Sequence, residues 1–194
     1  RKPSSVASFD ELVTQMKSFK ARMVGAETEA TCSKEQVDED FKKLMASVKR
    51  DSCSTDNFSL DKEEFVKLKA YAEGLGVTFF ATPFDKSSAD FLEEVGQDVY
   101  KIASFDVTNL PLLEHVAKKG KPVILSTGMS SVEEVDEAVE TILKHNKQLI
   151  VLHCVSIYPS VADKLNLRTI PMYQERYAPL PVGYSGHEQD YIPT

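Results

Sequence analysis

A lysine grouped with hydroxyls can hold a small anion, and a histidine can hold a divalent cation or carry a proton. In this chain such residues are gathered by position. Thr82, Lys101, Ser104, Ser126, Thr127, His153, Ser185 and His187 all fall at or near the ends of five short apolar or β-branched runs: VTFFATP (Val77 to Pro83), VYKIAS (Val99 to Ser104), PVILSTG (Pro122 to Gly128), LIVLHC (Leu149 to Cys154) and PVGYSGH (Pro181 to His187). Parallel strands that feed one site deliver their chemistry at the same end. The pattern therefore points to a pocket for an anionic small molecule together with a metal ion.

Lys101 lies inside an apolar strand, where an unpaired ammonium costs several kcal/mol, so it must reach an anion or solvent. Either it runs its stem to water at the strand end, or it shares a pocket with the hydroxyls of Thr82, Ser104, Ser126 and Ser185. No Walker or dinucleotide glycine motif occurs, so the pocket would be ligand-specific rather than a nucleotide loop. His187, in YSGHE, follows Ser185 and Gly186 past its strand end and is the better metal-ligand candidate. His153, followed by Cys154 and Val155, reads as a residue that orients others. Cys154 has no activating base beside it in sequence and reads as buried filling. His115 and His145 fall on helical patterns and read as surface residues. Asp106 either works in the site or helps to cap the helix near Asn109, and Tyr158 either touches a substrate or packs before Pro159.

The elements that must position these residues alternate. From Ser59 onward strand-like runs are separated by helical patterns, which argues a parallel sheet of βα units. Leu60 to Leu75 carries Phe65, Leu68, Ala72 and Leu75 at helical spacing, and Asp85 to Gly96 carries Phe91, Leu92 and Val95 on one face. Asn109 is placed to cap a helix with Pro111 near its start and Gly120 past its end. Ser131 and Glu134 form a capping-box pattern before Val132, Val135, Val139, Ile142 and Leu143. A last helix is expected between Asn166 and Tyr177, kinked or delayed by Pro171. Residues 1–57 hold helical patterns around Phe9 to Met23 and Val37 to Val48 with no convincing parallel strand, and read as a helical or loop segment ahead of an α/β unit at 58–194.

With 194 residues and 42% hydrophobic content the chain can bury a core. A formal net charge of −7, without a long run of Lys or Arg, gives no electrostatic footprint for nucleic acid or an anionic membrane. No apolar run approaches membrane-spanning length and Arg1 to Phe9 lacks the core of a signal peptide, so a cytoplasmic protein is the expectation. Three widely spaced cysteines, Cys32, Cys53 and Cys154, suit a reducing compartment. The chain starts with Arg1 rather than Met and stops soon after a strand-end motif. It reads as a piece of something longer.

In order along the chain, TPFD (Thr82 to Asp85), YKIAS (Tyr100 to Ser104), TNLPLL (Thr108 to Leu113), GKPVILSTGMS (Gly120 to Ser130), HCVSIYP (His153 to Pro159), LNLR (Leu165 to Arg168) and VGYSGH (Val182 to His187) resemble the sialic acid synthase (N-acetylneuraminate synthase) family. The resemblance runs from about Phe58 to Glu188. It implies a (β/α)8 TIM barrel followed by a small antifreeze-like domain, in a domain-swapped homodimer. It also implies condensation of phosphoenolpyruvate with N-acetylmannosamine or its 6-phosphate, or a related N-acylated aminosugar, with release of phosphate and use of manganese or magnesium. By position, Lys101, Ser104 and Ser126 are similar to phosphoenolpyruvate contacts, with Thr82 and Ser185 completing that pocket. Tyr158 is similar to a residue touching the amino sugar, and Ser156, where some members have Asn, joins the substrate-binding set. His187 resembles one of two histidine metal ligands, and Asp106 an acidic residue assisting proton transfer.

The chain also departs from the family pattern. A Glu and a Lys-Phe-Gln segment of the first two strands are not recognisable in Arg1 to Asp56, the second metal histidine is expected after strand eight, beyond Thr194, the antifreeze-like domain is expected to lie outside this sequence, and Phe105 stands where many members have Gly. The expected architecture is thus a partial TIM barrel, roughly strands 3 to 7. Two further readings compete with a sialic-acid-type synthase: a sister phosphoenolpyruvate-condensing enzyme making an octulosonate or heptulosonate phosphate, and a degenerate fragment without catalysis.

Overall fold

The computed structural model describes residues 62–74 and 78–188, and the segment expected at 1–57 lies outside them. Helix α1 (Lys62–Gly74) comes first and helix α2 (Lys86–Glu94) second. Strand β1 (Tyr100–Ile102) follows, then a 3-10 turn (Ser104–Asp106), α3 (Leu110–Lys118) and β2 (Val123–Ser126). Helix α4 (Val132–Leu143) and β3 (Leu149–Cys154) come next. A second 3-10 turn (Ala162–Lys164), α5 (Thr169–Arg176) and β4 (Val182–Ser185) complete the order. No described helix is long and apolar enough to cross a membrane.

The four strands are parallel and neighbours in chain order, β1-β2-β3-β4. Lys101 pairs with Ile124, Ile124 with Ile150, and Cys154 with Ser185. Strand neighbours in sequence order, each joined through a helix, form the wall of a (β/α)8 barrel rather than a doubly wound sheet. This is the expected α/β architecture.

Side chains alternate across the strands and divide the apolar residues between two faces. Tyr100, Ile102, Val123, Leu125, Leu149 and Val151 pack against the helices, where Leu113, Val116, Val135 and Ile142 are fully buried. Val99, Ile124, Ile150 and Leu152 form a separate cluster on the opposite, inner face. Each such side chain contributes about 1.5–3 kcal/mol when removed from water, so the helix-facing layer holds the wall upright.

Local signals place the helices. Ser131 accepts from the Glu134 N–H at 3.2 Å and Glu134 accepts from the Ser131 N–H at 2.7 Å, the capping box read from sequence. Asp85 caps α2 by accepting from the Ser88 N–H, and Gly96 ends it in the left-handed region at φ 78°. Asn109 behaves otherwise than expected: it precedes α3, but its side chain makes no capping bond and donates to Asp106 Oδ1 at 3.1 Å instead. Pro171 neither kinks nor breaks α5. The helix begins at Thr169, so Pro171 lies in the first turn, where no intrahelical partner is required of its nitrogen.

The first of the five runs also differs. Residues 78–83 have no regular secondary structure and do not join the sheet. The side-chain amide of Gln97 takes the place of a strand neighbour: it accepts from the Ala81 N–H at 2.7 Å and donates to the Ala81 carbonyl at 2.9 Å. Pro83 has no donor to offer a ladder. Gln97 is 2% exposed, so its removal leaves a half-buried backbone pair unsatisfied. Gln97→Leu, similar in volume, is expected to cost about 1–3 kcal/mol, read as a lower urea midpoint with an unchanged m-value. An unchanged midpoint would show that Ala81 finds other partners.

Candidate active site

The C-terminal edge of the sheet is where the chemistry-bearing residues collect. On the inner face, alternation places Lys101 beside Ile124, Ser126 beyond Ile124 on β2, Cys154 beyond Leu152 on β3, and Ser185 beside Cys154. Lys101 is half-buried and has no ion pair among the described residues.

Three loops then close on one point. Ser104, in the turn after β1, accepts at Oγ a hydrogen bond of 2.9 Å from the backbone N–H of Gly128, in the loop after β2. A Cβ on Gly128 would lie 2.4 Å from Ser156 Oγ and 3.0 Å from Ser104 Oγ. Only glycine lets both hydroxyls approach so closely. Because Ser104 Oγ accepts from Gly128, its own hydrogen stays available to a ligand. Met129, next in the chain, is held at φ 64°, an uncommon conformation for a side chain of that kind.

Two buried polar atoms in the elements that carry this closure have no hydrogen-bond partner, Ser126 Oγ at the end of β2 and Asp106 Oδ2 in the turn after β1. An unsatisfied buried group costs about 1–3 kcal/mol, a cost that a ligand making those bonds would remove. Asp106 is 5% exposed, and Asn109 holds its other oxygen, so Oδ2 is the atom left to act.

His187 is built into a defined orientation. Its Nδ1 lies 3.0 Å from the carbonyl oxygen of Val155, which can only accept, so the proton is on Nδ1 and the Nε2 lone pair is left for a proton or a cation. The Ser160 N–H donates to the His187 carbonyl at 3.0 Å and fixes the backbone. Tyr158 lies against the imidazole with ring centroids 4.1 Å apart, bringing the expected sugar contact and the expected metal ligand together. Cys154 Sγ is 3.9 Å from His187 Nδ1. The thiol thus has a histidine neighbour that sequence alone did not reveal. The donor set suits a cation in part: among the described residues no three His, Cys, Asp or Glu side chains converge, so His187 offers one ligand and others must complete the shell.

The other positions sort differently. His153 faces the helices, donating from Nε2 to the Leu165 carbonyl at 2.7 Å and stacking on Tyr184 at 5.9 Å. Burial pushes the Tyr184 phenol up to about 12, with its bond to Glu188 adding to the shift, so it stays a donor to that carboxylate. Thr127 spends its hydroxyl on the Leu152 carbonyl at 3.0 Å. Thr82 is half-buried and has no hydrogen bond to the cluster among the described residues. His115 and His145 lie at the surface, 2.7 Å from Asp90 and 3.5 Å from Glu114. Sequence reading passed over Gly128, although its place between Thr127 and Met129 at a strand end was the available signal.

Known proteins share much of this sequence and fold. Over 133 residues, 68% of this chain and 39% of the other, it is 47% identical to an uncharacterized protein of Methanocaldococcus jannaschii. Against the N-acetylneuraminate-9-phosphate synthase of Homo sapiens it is 36% identical over 126 residues, 65% of this chain and 35% of that protein. The chain therefore spans well under half the length of these relatives. A crystal structure of the N-acetylneuraminic acid (sialic acid) synthetase of Leptospira borgpetersenii superimposes with a TM-score of 0.68 at 40% identity, covering 71% of this chain and 48% of the other. The model of the NeuB family matches residues 16–193, and the chain belongs to the NeuB family.

Proposed function

We propose that the protein carrying this chain condenses phosphoenolpyruvate with N-acetylmannosamine or its 6-phosphate, forming a sialic (nonulosonic) acid and releasing phosphate. The observation that carries the reading is the closure of Ser104, Gly128 and Ser156 on one point at the strand ends, where β2 and the turn after β1 also hold the unpartnered Ser126 Oγ and Asp106 Oδ2. Membership of the NeuB family supports it.

In this reading Lys101 and the hydroxyls of Ser104 and Ser126, joined by Thr82 and Ser185, hold the phosphate and carboxylate of phosphoenolpyruvate. Fixed donors aimed at charge lower a barrier without reorganising during the reaction. Ser156 and Tyr158 hold the aminosugar, with its aldehyde toward His187. Carbon C3 of phosphoenolpyruvate forms the new bond to the aldehyde carbon, and the aldehyde oxygen takes up a proton. Water adds at C2, the bond from C2 to the phosphate oxygen breaks, and a keto acid and phosphate are formed. Asp106, oriented by Asn109, moves the proton at Oδ2. His187 Nε2 would hold a manganese or magnesium ion in part, and such an ion would supply positive charge to polarise the aldehyde. The same reading carries a homodimer in the cytoplasm.

Lys101→Ala is expected to weaken phosphoenolpyruvate binding on the order of ten- to a hundredfold, since a hydrogen bond to a charged group contributes about 1.5–3 kcal/mol. Calorimetry on the complete protein reads this directly, and a dissociation constant equal to wild type rejects the anion role. For His187→Ala, phosphate release with an acylated aminosugar should fall about a hundredfold or more. A chelator should stop wild-type turnover reversibly, with manganese restoring it. Turnover insensitive to both changes excludes the metal role.

A further inference from the structure

One motif of the sequence, Leu165 to Arg168, has no part in the chemistry above, yet its last residue enters the same region. An open cleft of about 930 Å³ reaches from Thr127 and Ser156 at the strand ends to Arg168 at the start of α5, with Met129 and Met172 among its walls. Arg168 is exposed and its side chain makes no ion pair or hydrogen bond among the described residues. Arg176, at the other end of the same helix, is by contrast gripped by Asp136 through two nitrogens.

The backbone around Arg168 is fixed. His153 Nε2 holds the Leu165 carbonyl at 2.7 Å, Asn166 turns the chain in the left-handed region at φ 49°, and the Thr169 N–H donates to the Asn166 carbonyl at 2.9 Å. The first donors of α5 are already used: Ile170 N–H reaches the Leu167 carbonyl at 3.0 Å, and Pro171 has none. The guanidinium is therefore the group at this end of the cleft that can take an anion, and its planar fork suits a phosphate. The acidic residue of the cleft, Asp163, has Lys164 Nζ 3.8 Å away to offset part of its charge. The Ser156 hydroxyl, apolar walls and an unpaired guanidinium lining one cleft match a sugar phosphate lying along it.

We infer that Arg168 binds a phosphate ester on the acceptor sugar, remote from the reacting aldehyde, and so selects the phosphorylated over the unphosphorylated aminosugar. The inference rests on the proposed function for the placing of the sugar at Ser156. It deepens that reading by naming the acceptor as N-acetylmannosamine 6-phosphate rather than the free sugar.

The test is equilibrium binding by calorimetry on the complete protein, with a chelator present to prevent turnover. N-acetylmannosamine and its 6-phosphate are each titrated into wild type, Arg168→Ala and Arg168→Gln. Wild type should favour the phosphorylated sugar on the order of ten- to a hundredfold, and both variants should lose that preference while their phosphoenolpyruvate affinity is unchanged. Equal affinity for the two sugars in wild type, or a preference surviving in both variants, overturns the inference. Phosphate release from phosphoenolpyruvate is measured separately. An Arg168-dependent preference without release keeps this inference and sinks the proposed function, whereas release that is equally efficient with either sugar does the reverse.

Discussion

Lys101 stands beside Ile124, and Ile124 beside Ile150, because four parallel strands pair in sequence order without a skipped neighbour. Every feature of the site depends on that register. A shift of one residue in any strand would turn its inner side chains toward the helices and bury Lys101 or Ser126 in the apolar layer that now holds Leu125 and Ile102. The register is protected because both faces are committed: the helix-facing layer is filled by α3 and α4, and the inner face carries its own cluster of Val99, Ile124, Ile150 and Leu152.

On that rigid wall the loops can carry groups that oppose stability. Ser126 Oγ and Asp106 Oδ2 are buried without partners, and Met129 is held at positive φ. Such features persist where surrounding structure over-determines them. Here the determinants are visible: the Gly128 N–H bonds Ser104, Asn109 bonds Asp106, and the loops after β3 and β4 are tied by Ser160 and His187. The polar cluster is thus arranged before any ligand arrives, as preorganised electrostatic stabilisation requires.

Much of this was legible in the residues. The strands β1 to β4 and the capping box of α4 follow from apolar runs and local pattern alone, since neither depends on distant parts of the chain. The direction of His153 was harder to read. All six residues of β3 are buried, so the strand shows no polar alternation, and only counting from Leu149 separates His153 from Cys154. The contact of Tyr158 with His187, the closure on Gly128 and the clasp of Gln97 on Ala81 join residues far apart in sequence. No local propensity encodes them. The motif resemblance nominated the candidate site residues, and the structure shows which of them lie together.

The claim at the centre of this account is that the Ser104, Gly128 and Ser156 closure is an anion pocket and not loop packing. Substituting Gly128 by Ala sets a methyl where the two hydroxyls now stand, so phosphoenolpyruvate binding to the complete Gly128→Ala protein, measured by calorimetry against wild type, tests the claim most directly. Affinity is expected to fall about tenfold or more with the protein still folded. Phosphoenolpyruvate affinity equal to wild type in the folded variant would contradict it.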